Sequence, residues 1–355
     1  PLSSPRYSPV LRSTSSHPNT GFIRRRALGV ADDEGSSDAS TRGGRRRGRG
    51  GATGSDTWGV SCVSDIRHLD DATIRKIAAG EVVERPASVV KELVENSLDA
   101  DASRVSVAVE RGGKAGIRVR DDGVGMSAAD LERAVAEHAT SKIADIEDLE
   151  KGVATLGFRG EALHTIGAVS TLTVRSKPRD GDGPGHELVV DDGDPGTVEP
   201  AGCPAGTVVE VTDLFASTPA RRKFLKTDAT EFDHVSRVVT HYALANPDVA
   251  VSLEHDDREV FATEGNGDLR STVLAVYGRE VAESMVVVDH AGDDVAVSGV
   301  VSHPETNRSG REYLSTFVND RYVTDGTLRT AVLDAYGGQL APDRYPFAVL
   351  FVEVS

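Results

Sequence analysis

The sequence predicts an α+β fold for most of a 355-residue chain. One observation is a hairpin pattern, in which Val105, Val107 and Val109 alternate with other residues before the turn Gly112-Gly113. A second is a helical pattern after Pro86, where apolar residues recur every three or four positions. A third is the alternation of strand-like and helix-like stretches over 268–355, which predicts a second, smaller α/β domain.

Residues 1–64 are predicted to be a disordered tail, because they are rich in Arg, Gly, Ser and Pro and lack apolar periodicity. The tail contains 10 basic and 5 acidic side chains, and the rest of the chain contains 30 basic and 51 acidic ones. We interpret its Arg-rich run as dispensable, with electrostatic contact to nucleic acid as the alternative. The expected domains are therefore 1–64, 65–265 and 268–355.

The acidic balance of the body indicates a surface that stays soluble where salt screens its self-repulsion, and we expect a salt-adapted source. No apolar run is long enough to span a bilayer and no secretory signal is recognised near the start, so we expect a cytoplasmic protein without membrane contact. Cys62 and Cys203 are far apart and lack metal-ligand spacing. We expect free thiols, with a single disulfide as the alternative.

The first half of the body can be divided into elements in order. A helix is predicted over 71–80 and another from Pro86 to about residue 100, where Asp101 can adopt the left-handed cap conformation. After the hairpin, Ser127 is the predicted N-cap of a helix over 127–138. The segment 139–160 has little periodicity and is predicted to be an ordered lid loop.

The elements that follow are assigned from local pattern and turn residues. Up to the end of the first domain, they are a helix from Glu161, a strand over 171–174, an Asp/Gly-rich loop over 180–200, a strand over 207–211, a helix start at Thr218-Pro219 and a helix over 230–245. In the second domain, they are the stretches 285–288, 295–301, 315–318, 327–336 and 347–354.

The helix after Pro86 carries an unusual polar face. Glu92 and Asn96 are four residues apart, and Asp99 lies close to the same stripe. Alone, this face is best interpreted as a solvated surface. The polar groups that follow it in the chain favour a binding site instead.

Asp121 ends the second hairpin strand and precedes Gly123 and Gly125, which permit close backbone approach. A carboxylate in this position can accept the exocyclic amine of adenine, and the alternative is a turn-initiating Asp. Thr207 can support the same base through its hydroxyl group or a water molecule. Its alternative role is that of an ordinary strand residue.

A third feature is the glycine-rich turn at 156–163, Leu-Gly-Phe-Arg-Gly-Glu-Ala-Leu, which opens a helix. Successive backbone N–H groups at such a turn bind phosphate oxygens, and Arg159 and Lys142 would add positive charge. The alternative is a plain helix start. The turn is not a Walker P-loop, because no Gly-Lys-Ser/Thr follows it, and the glycines after Asp121 do not form a Rossmann turn.

Together these segments resemble the four ATP-site motifs of the GHKL superfamily, which includes type II topoisomerase ATPase subunits, heat-shock chaperones, histidine kinases and MutL proteins. Three more segments are similar to the MutL family of DNA mismatch repair proteins, at 77–86, 138–142 and 218–224. The resemblance covers residue 66 to the end. It implies a GHKL (Bergerat) α/β sandwich with a mixed sheet, followed by a domain like ribosomal-protein S5 domain 2.

The resemblance implies a Mg²⁺-dependent ATPase. Glu92 would be the general base for the attacking water, Asn96 would ligate Mg²⁺, and Asp121 would bind adenine. Asp99 would have a supporting role. The remaining expected nucleotide-binding residues are Gly123, Gly125, Thr140, Ser141, Lys142, Gly157, Phe158, Arg159, Gly160, Glu161, Ala162, Leu163 and Thr207.

In proteins of this family, ATP binding would order the lid and drive N-terminal dimerisation, and slow hydrolysis would reopen the clamp. The implied partners are a MutS-type mismatch sensor, DNA, a second copy of the chain, and a downstream nuclease or helicase. Candidate DNA contacts are Arg221, Arg222 and Lys223, together with Arg321 and Arg329. The alternative for the cluster at 221–226 is a structural pairing with acidic groups.

The sequence departs from the family pattern at Asp122, where the family usually has Asn, and at Asp101, where it usually has Gly. Family members also continue after the last strand into a His-Pro-x-Lys segment whose lysine reaches the terminal phosphate, and the sequence stops before it at Ser355. We therefore expect ATP binding and leave hydrolysis open. The alternatives are a nucleotide-binding interaction module without effective hydrolysis, or another GHKL ATPase.

Overall fold

Two main β-sheets with helices packed on them form the part of the chain that the structure describes. A computed structural model describes residues 68, 70–136, 156 and 161–354. All of them belong to the unit Ile66–Ser355. Among these residues, no helix combines the length and apolar character needed to cross a membrane.

The helices differ widely in length, from a single turn to five turns. They are α1 (Asp71–Val82), α2 (Pro86–Asp99), α3 (Ala128–Ala134), α4 (Ala162–Gly167), α5 (Pro219–Arg222), α6 (Asp228–Ala245), α7 (Leu269–Tyr277), α8 (Arg279–Glu283) and α9 (Gly326–Ala335).

The strands of the first sheet all precede residue 263. They are β1 (Arg104–Glu110), β2 (Gly116–Asp121), β3 (Thr171–Lys177), β4 (Gly185–Asp191), β5 (Asp194–Pro195), β6 (Glu199–Ala201), β7 (Gly206–Thr212), β8 (Ala250–His255) and β9 (Arg258–Ala262). Their order is β5-β4-β3-β7-β2-β1-β8-β9, with β6 paired to β4. The sheet is mixed, because β1 and β8 run parallel while the other pairs are antiparallel.

The remaining strands follow residue 284. They are β10 (Met285–Ala291), β11 (Val295–Ser302), β12 (Asn307–Arg308), β13 (Leu314–Val318), β14 (Arg321–Tyr322), β15 (Tyr345–Pro346) and β16 (Ala348–Val354). The second sheet has the order β10-β11-β16-β13-β14, and β12 pairs separately with β15. The two main sheets lie on either side of the expected boundary near residue 266, and the domain bounds themselves stay a prediction.

Helix α2 has the amphipathic character predicted from its spacing. Pro86 occupies its first turn, and Asp101 follows it with φ 54°, the left-handed conformation expected at its end. Val89, Val90 and Leu93 are buried in the main core. This apolar face packs on β1, β2 and α6, and each such side chain contributes about 1.5–3 kcal/mol by burial. The polar face of α2 is thereby directed away from the core.

The β1–β2 hairpin places Asp121 in a buried position. Ile117, Val119 and Asp121 are the buried residues of β2, and their neighbours on the strand are exposed or half-buried. Because side chains alternate along a strand, Asp121 shares the sheet face that the apolar residues present to the core. Its neighbours across the ladder are Val105 of β1 and Thr207 of β7.

Most predicted elements are confirmed, but the interpretation of residues 180–200 as a loop was wrong. This stretch contains β4, β5 and β6, and β4 pairs with β3 along its length. Its Asp and Gly residues belong to turns and to an edge region, where exposed charges protect an open strand from pairing with other chains. The helix predicted over 127–138 begins after Ser127 as expected and ends earlier, at Ala134.

Seven of the helices and strands given above carried no recognised signal in the sequence. They are β8, β9, α7, α8 and the two-residue strands β12, β14 and β15. The β8–β9 turn consists of Asp256 and Asp257, with φ 49° and 61°. A two-residue turn with both φ values positive usually contains Asn-Gly or Asp-Gly. The Asp-Asp pair lacks this signal, so the hairpin was not predicted.

Candidate nucleotide-binding site

The polar face of α2 is the first component of the site. Glu92, Asn96 and Asp99 are all half-buried, whereas the opposite face of the helix is in the core. Asp99 accepts a hydrogen bond from the backbone N–H of Leu156 at 2.9 Å. Leu156, the first residue of the glycine-rich turn, is thus bound to the same helix face as Glu92 and Asn96.

Asp121 is the second component, and its carboxylate is held on three sides. Its Oδ1 accepts the backbone N–H groups of Gly123 at 2.9 Å and Thr207 at 3.1 Å. Its Oδ2 accepts the hydroxyl of Ser97 at 3.1 Å. Burial raises the pKa of Asp121, and the hydrogen bonds from Gly123, Ser97 and Thr207 partly offset that rise.

The bond from Ser97 to Asp121 connects the two components. Ser97 follows Asn96 directly on α2, so the carboxylate at the end of β2 is anchored one residue away from the polar face. Glu92 lies five residues earlier, which is ~7.5 Å along the helix axis. Ser97 was not recognised in the sequence, because an isolated serine within a helix gives no signal.

The glycines near Asp121 permit close backbone contacts. A Cβ atom added to Gly123 would be 2.7 Å from the carbonyl oxygen of Ala100, and one added to Gly125 would be 2.0 Å from the carbonyl oxygen of Lys177. Gly125 also has φ 67°. Only glycine fits both demands at position 125, so the turn after β2 can lie directly against the end of α2 and the end of β3.

Thr207 belongs to a small hydroxyl network behind the Asp121 carboxylate. Its Oγ1 lies 3.0 Å from Oγ of Ser176, which also donates to the carbonyl of Gly206 at 3.0 Å and accepts the N–H of Met126 at 2.8 Å. The network fixes the strand ends of β3 and β7 relative to the turn after β2. Ser176 was not predicted, since it reaches the site only through the sheet register.

Asp122, which departs from the family pattern, has a structural role. Its carboxylate accepts the N–H and hydroxyl of Ser103 at 2.8 and 2.7 Å and the N–H of Arg104 at 2.8 Å. Burial alone would raise the pKa of Asp122, but these hydrogen bonds lower it below its usual value. The side chain therefore ties the end of β2 to the start of β1.

Only part of the predicted lid belongs to the residues that the structure describes. Thr140, Ser141, Lys142 and the turn residues Gly157, Phe158, Arg159 and Gly160 lie outside the described residues. Glu161 is the N-cap of α4, and Ala162 and Leu163 form its first turn, so the helix predicted after the turn is present. Leu163 packs against the main core.

A second cluster on α2 surrounds Glu92. Lys91 lies 3.3 Å from Oε1 of Glu92 and 2.7 Å from Oε2 of Glu95. Tyr242 of α6 donates its hydroxyl to the other oxygen of Glu95. Lys91 and Glu95 were detectable in the sequence as an ion pair with i,i+4 spacing, but Tyr242 lies 147 residues away from Glu95.

The basic residues predicted to contact DNA lie on different elements. Arg221 donates to the carbonyl oxygens of Lys76 at 2.8 Å and Ile77 at 3.0 Å, in the middle of α1. Arg222 and Lys223 are exposed at the end of α5, whereas Arg321 is in β14 and Arg329 is in α9. The structural alternative is therefore favoured for Arg221, although its partners are carbonyl oxygens rather than carboxylates.

The described residues contain no group of three or more His, Cys, Asp or Glu side chains that could hold a metal ion. Mg²⁺ commonly keeps several waters and takes one or two protein ligands together with phosphate oxygens. The amide oxygen of Asn96 suits this hard cation in donor chemistry. Cys203 has a free thiol, and Cys62 lies outside the described residues.

Comparisons with family models give two matches. Residues 84–183 match the model described as "Histidine kinase-, DNA gyrase B-, and HSP90-like ATPase". Residues 273–355 match the model described as "DNA mismatch repair protein, C-terminal domain". The first match contains the α2 face and Asp121, and the second contains all five strands of the second sheet.

Curated relatives share one name. A DNA mismatch repair protein MutL from Halobacterium salinarum is 66% identical over 291 residues, covering 81% of this chain and 44% of the relative. A MutL protein from Symbiobacterium thermophilum is 48% identical over 289 residues, covering 81% of this chain and 45% of the relative. The chain thus spans less than half the length of these relatives.

Solved structures agree with this relationship. The Aquifex aeolicus MutL ATPase domain complexed with ADP is 31% identical, with a TM-score of 0.58, and the match covers 77% of this chain and 93% of that one. An N-terminal domain of a DNA repair protein is 26% identical, with a TM-score of 0.69, covering 81% and 89%. The fold is therefore shared along most of the body of the chain.

Proposed function

The chain belongs to the MutL family of DNA mismatch repair proteins, to whose ATPase region it corresponds, and we propose that it binds ATP and hydrolyses it slowly as a molecular clamp. The observation that carries the proposal is the Ser97–Asp121 hydrogen bond. It anchors the residue proposed for adenine beside the helix face that would bind the phosphates. The described geometry thus supports one continuous nucleotide site.

In this site, Asp121 would accept the exocyclic amine of adenine on carboxylate oxygens that are already oriented by Gly123, Ser97 and Thr207. Preorganised acceptors lose little further freedom when the ligand binds. At the other end, Asn96 would hold Mg²⁺ through its amide oxygen. The ion, when bound, neutralises charge on the phosphate oxygens.

Glu92 would act as the general base for the attacking water. Its carboxylate accepts a proton from water as the new bond to the γ-phosphorus forms and the bond between that phosphorus and the bridging oxygen of ADP breaks. Glu92 is half-buried on α2 and not enclosed in the core, so water and the terminal phosphate can reach it. Positioning of the water supplies a large part of the rate effect.

We propose that Thr140, Ser141 and Lys142, together with Gly157–Gly160 and the start of α4, form a lid over the phosphates. The Asp99–Leu156 hydrogen bond supports this proposal, because it fixes the first residue of the glycine-rich turn at the polar face of α2. ATP binding would order the lid and favour dimerisation of two chains. Coupling to a MutS-type sensor, to DNA and to downstream strand processing belongs to the same proposal.

The test is substitution of Glu92 by alanine. The variant is expected to bind ATP with an affinity within about threefold of the wild type, and to lose turnover by at least 10²-fold, since general acid–base catalysis contributes 10²- to 10⁴-fold. Binding is measured by calorimetry and hydrolysis by phosphate release in single-turnover experiments. A variant that still hydrolyses ATP at the wild-type rate would refute the assignment of the base.

The same experiment decides between the clamp and a nucleotide-binding interaction module. A wild-type chain that binds ATP but releases no phosphate in a single turnover would support the module. Asp121→Ala provides the binding control, because it removes the acceptor for adenine and is expected to weaken ATP binding at least tenfold.

A further inference from the structure

The proposed general base has a charged neighbour that is itself held in place. The ammonium group of Lys91 lies between two carboxylates of α2, at 3.3 Å from Oε1 of Glu92 and 2.7 Å from Oε2 of Glu95. A lysine side chain has four flexible methylene groups and ordinarily remains solvated at a helix surface. Here the shorter contact with Glu95 fixes where the ammonium stands relative to Glu92.

Glu95 can serve as a fixed anchor because it is buried. The Glu95 side chain is only 10% exposed, whereas the Glu92 side chain is 27% exposed. A buried carboxylate requires charged or hydrogen-bonding partners on its oxygens. Lys91 supplies one partner to Oε2, and the hydroxyl of Tyr242 supplies one to Oε1.

Tyr242 supplies its partner from another helix. It lies on α6, which packs against α2, so the carboxylate of Glu95 is held from both its own helix and its neighbour. Burial and the carboxylates of Glu95 and Glu92 raise the pKa of Tyr242 far above its ordinary value. The phenol therefore keeps its proton and remains a donor to Glu95.

We propose that Tyr242 and Glu95 are positioning residues that hold the Lys91 ammonium against Glu92 and thereby orient the carboxylate that activates water. This inference rests on the proposed ATPase function. It adds three residues to the site, of which Lys91 contacts the base and the other two act through Lys91. Without the anchor, the ammonium can turn to solvent. Glu92 then loses the contact between Lys91 and Oε1 that holds its carboxylate in one orientation.

The geometry also predicts a chemical property of Lys91. Burial alone would lower the pKa of Lys91, but the hydrogen bond and charge of Glu95 and the charge of Glu92 raise it overall. The two ion pairs therefore keep the amine in its protonated, unreactive form, although the side chain is 46% exposed. Removing the anchor should increase the fraction of reactive free amine, whether or not ATP is being hydrolysed.

The experiment compares Tyr242→Phe and Glu95→Gln with the wild type in the full chain. Each variant is expected to lower kcat three- to thirty-fold while KM and the ATP dissociation constant change less than twofold. In the absence of nucleotide, each should increase the acetylation rate of Lys91 at least threefold relative to the exposed Lys226, as measured by mass spectrometry. Lys91→Met should lower kcat similarly, and Lys91→Arg should restore part of it.

The matched control is Tyr336→Phe, which removes a buried phenol hydroxyl that donates to the carbonyl of Ser302 at 2.6 Å in the second sheet region. It is expected to leave both kcat and Lys91 acetylation unchanged. Unchanged kcat and unchanged Lys91 acetylation in Tyr242→Phe and Glu95→Gln would overturn the inference. A wild-type chain with no turnover overturns the hydrolysis proposal instead, and with it the catalytic part of the inference, while altered acetylation in the variants would still support the anchor.

Discussion

Individual carboxylates in this chain differ sharply in environment although they are close in sequence. Asp121 and Asp122 are adjacent, yet burial raises the pKa of Asp121 while hydrogen bonds from Ser103 and Arg104 lower that of Asp122. Successive side chains of a strand point to opposite faces of the sheet, which explains the difference. At the end of β2, Asp121 points into the core and Asp122 points toward the start of β1. One is thereby suited to ligand binding and the other to structure.

Asp122 gives a prediction about acid stability. A carboxylate whose pKa is lower in the folded state stabilises the fold above its unfolded pKa of about 3.9, and this contribution is lost as pH falls through that value to the lower folded one. Asp122→Asn, which has the residue usual in the family, does not titrate; its amide oxygen can still accept the two backbone N–H groups, and its NH₂ group can donate to the Ser103 hydroxyl. We expect the variant to lose less stability than the wild type between pH 5 and 3, by on the order of 1 kcal/mol.

The measurement is urea unfolding at a series of pH values. Asp130→Asn is a useful comparison, since Asp130 is an exposed residue of α3 whose pKa is lowered chiefly by the hydroxyl of Ser127. Parallel pH profiles for the wild type and Asp122→Asn would contradict the assignment.

At the scale of elements, α1 is held from outside by a side chain of α5. The Arg221 guanidinium occupies the space next to Gly80, where an added Cβ would lie 1.1 Å from Nη1. It donates there to the carbonyl oxygens of Lys76 and Ile77, in the middle of α1. Since Gly80 has no side chain, the guanidinium can approach these backbone carbonyls, which accept its N–H groups in addition to their partners within the helix.

Because of this contact, a Gly→Ala substitution that usually stabilises a helix should here lower the stability of the protein. Gly→Ala inside a helix ordinarily stabilises by about 1 kcal/mol, but Gly80→Ala must displace Arg221 and should destabilise by about 1–2 kcal/mol. Arg221→Ala should cost a similar amount, and the double variant should cost no more than Arg221→Ala alone, because alanine at position 80 then gains its helix propensity without a clash. Thermal and urea unfolding measure all three.

Two controls accompany this prediction. Gly326→Ala places a Cβ 3.6 Å from the side chain of Arg329, an ordinary contact, and should not destabilise α9. Arg222→Ala removes an exposed side chain and should leave stability unchanged; if Arg222 contacts DNA, the variant should reduce the salt slope of DNA binding by about one. A stabilised Gly80→Ala variant would show that Arg221 does not hold α1.

At the scale of the whole molecule, the acidic body determines how the protein responds to salt. Residues 65–355 contain 51 acidic and 30 basic side chains, and a relative at 66% identity comes from Halobacterium salinarum. Among the described residues with positive φ that are not glycine, seven are Asp, at positions 101, 192, 213, 256, 257, 320 and 343. Acidic residues therefore occupy even turn positions that ordinarily favour Gly or Asn.

We expect the free energy of unfolding to rise as KCl increases from 0.1 to 2 M, because screening reduces repulsion among these charges. Denaturant unfolding with urea, which is uncharged, measures the effect without adding ions. A chain that is most stable in dilute buffer would contradict a salt-adapted surface.

Dimerisation is the second prediction at this scale. Sizing by light scattering in molar KCl should give a monomer without nucleotide and a shift toward a dimer with a non-hydrolysable ATP analogue, if ATP orders the lid as proposed. Asp121→Ala is the control, since weak ATP binding should remove the shift. A mass that does not depend on nucleotide in the wild type would argue against the clamp.

The sequence by itself determined the helix after Pro86, the hairpin that ends at Asp121, and the family to which the motifs belong. These features depend on local periodicity and turn residues, which are present within short stretches of chain. The Asp-Asp turn between β8 and β9 and the strands within 180–200 were missed, because their turn chemistry and edge composition are typical of loops.

Only the tertiary structure decided which distant groups meet. Ser97 reaches Asp121, Arg221 reaches α1, and Tyr242 reaches Glu95 through helix packing and sheet register. Such contacts join residues 24 to 147 positions apart, and no local pattern specifies them. The positions of Ser97 and Glu95 follow from burying the apolar face of α2 against β1, β2 and α6, which fixes where every polar group on that helix must lie.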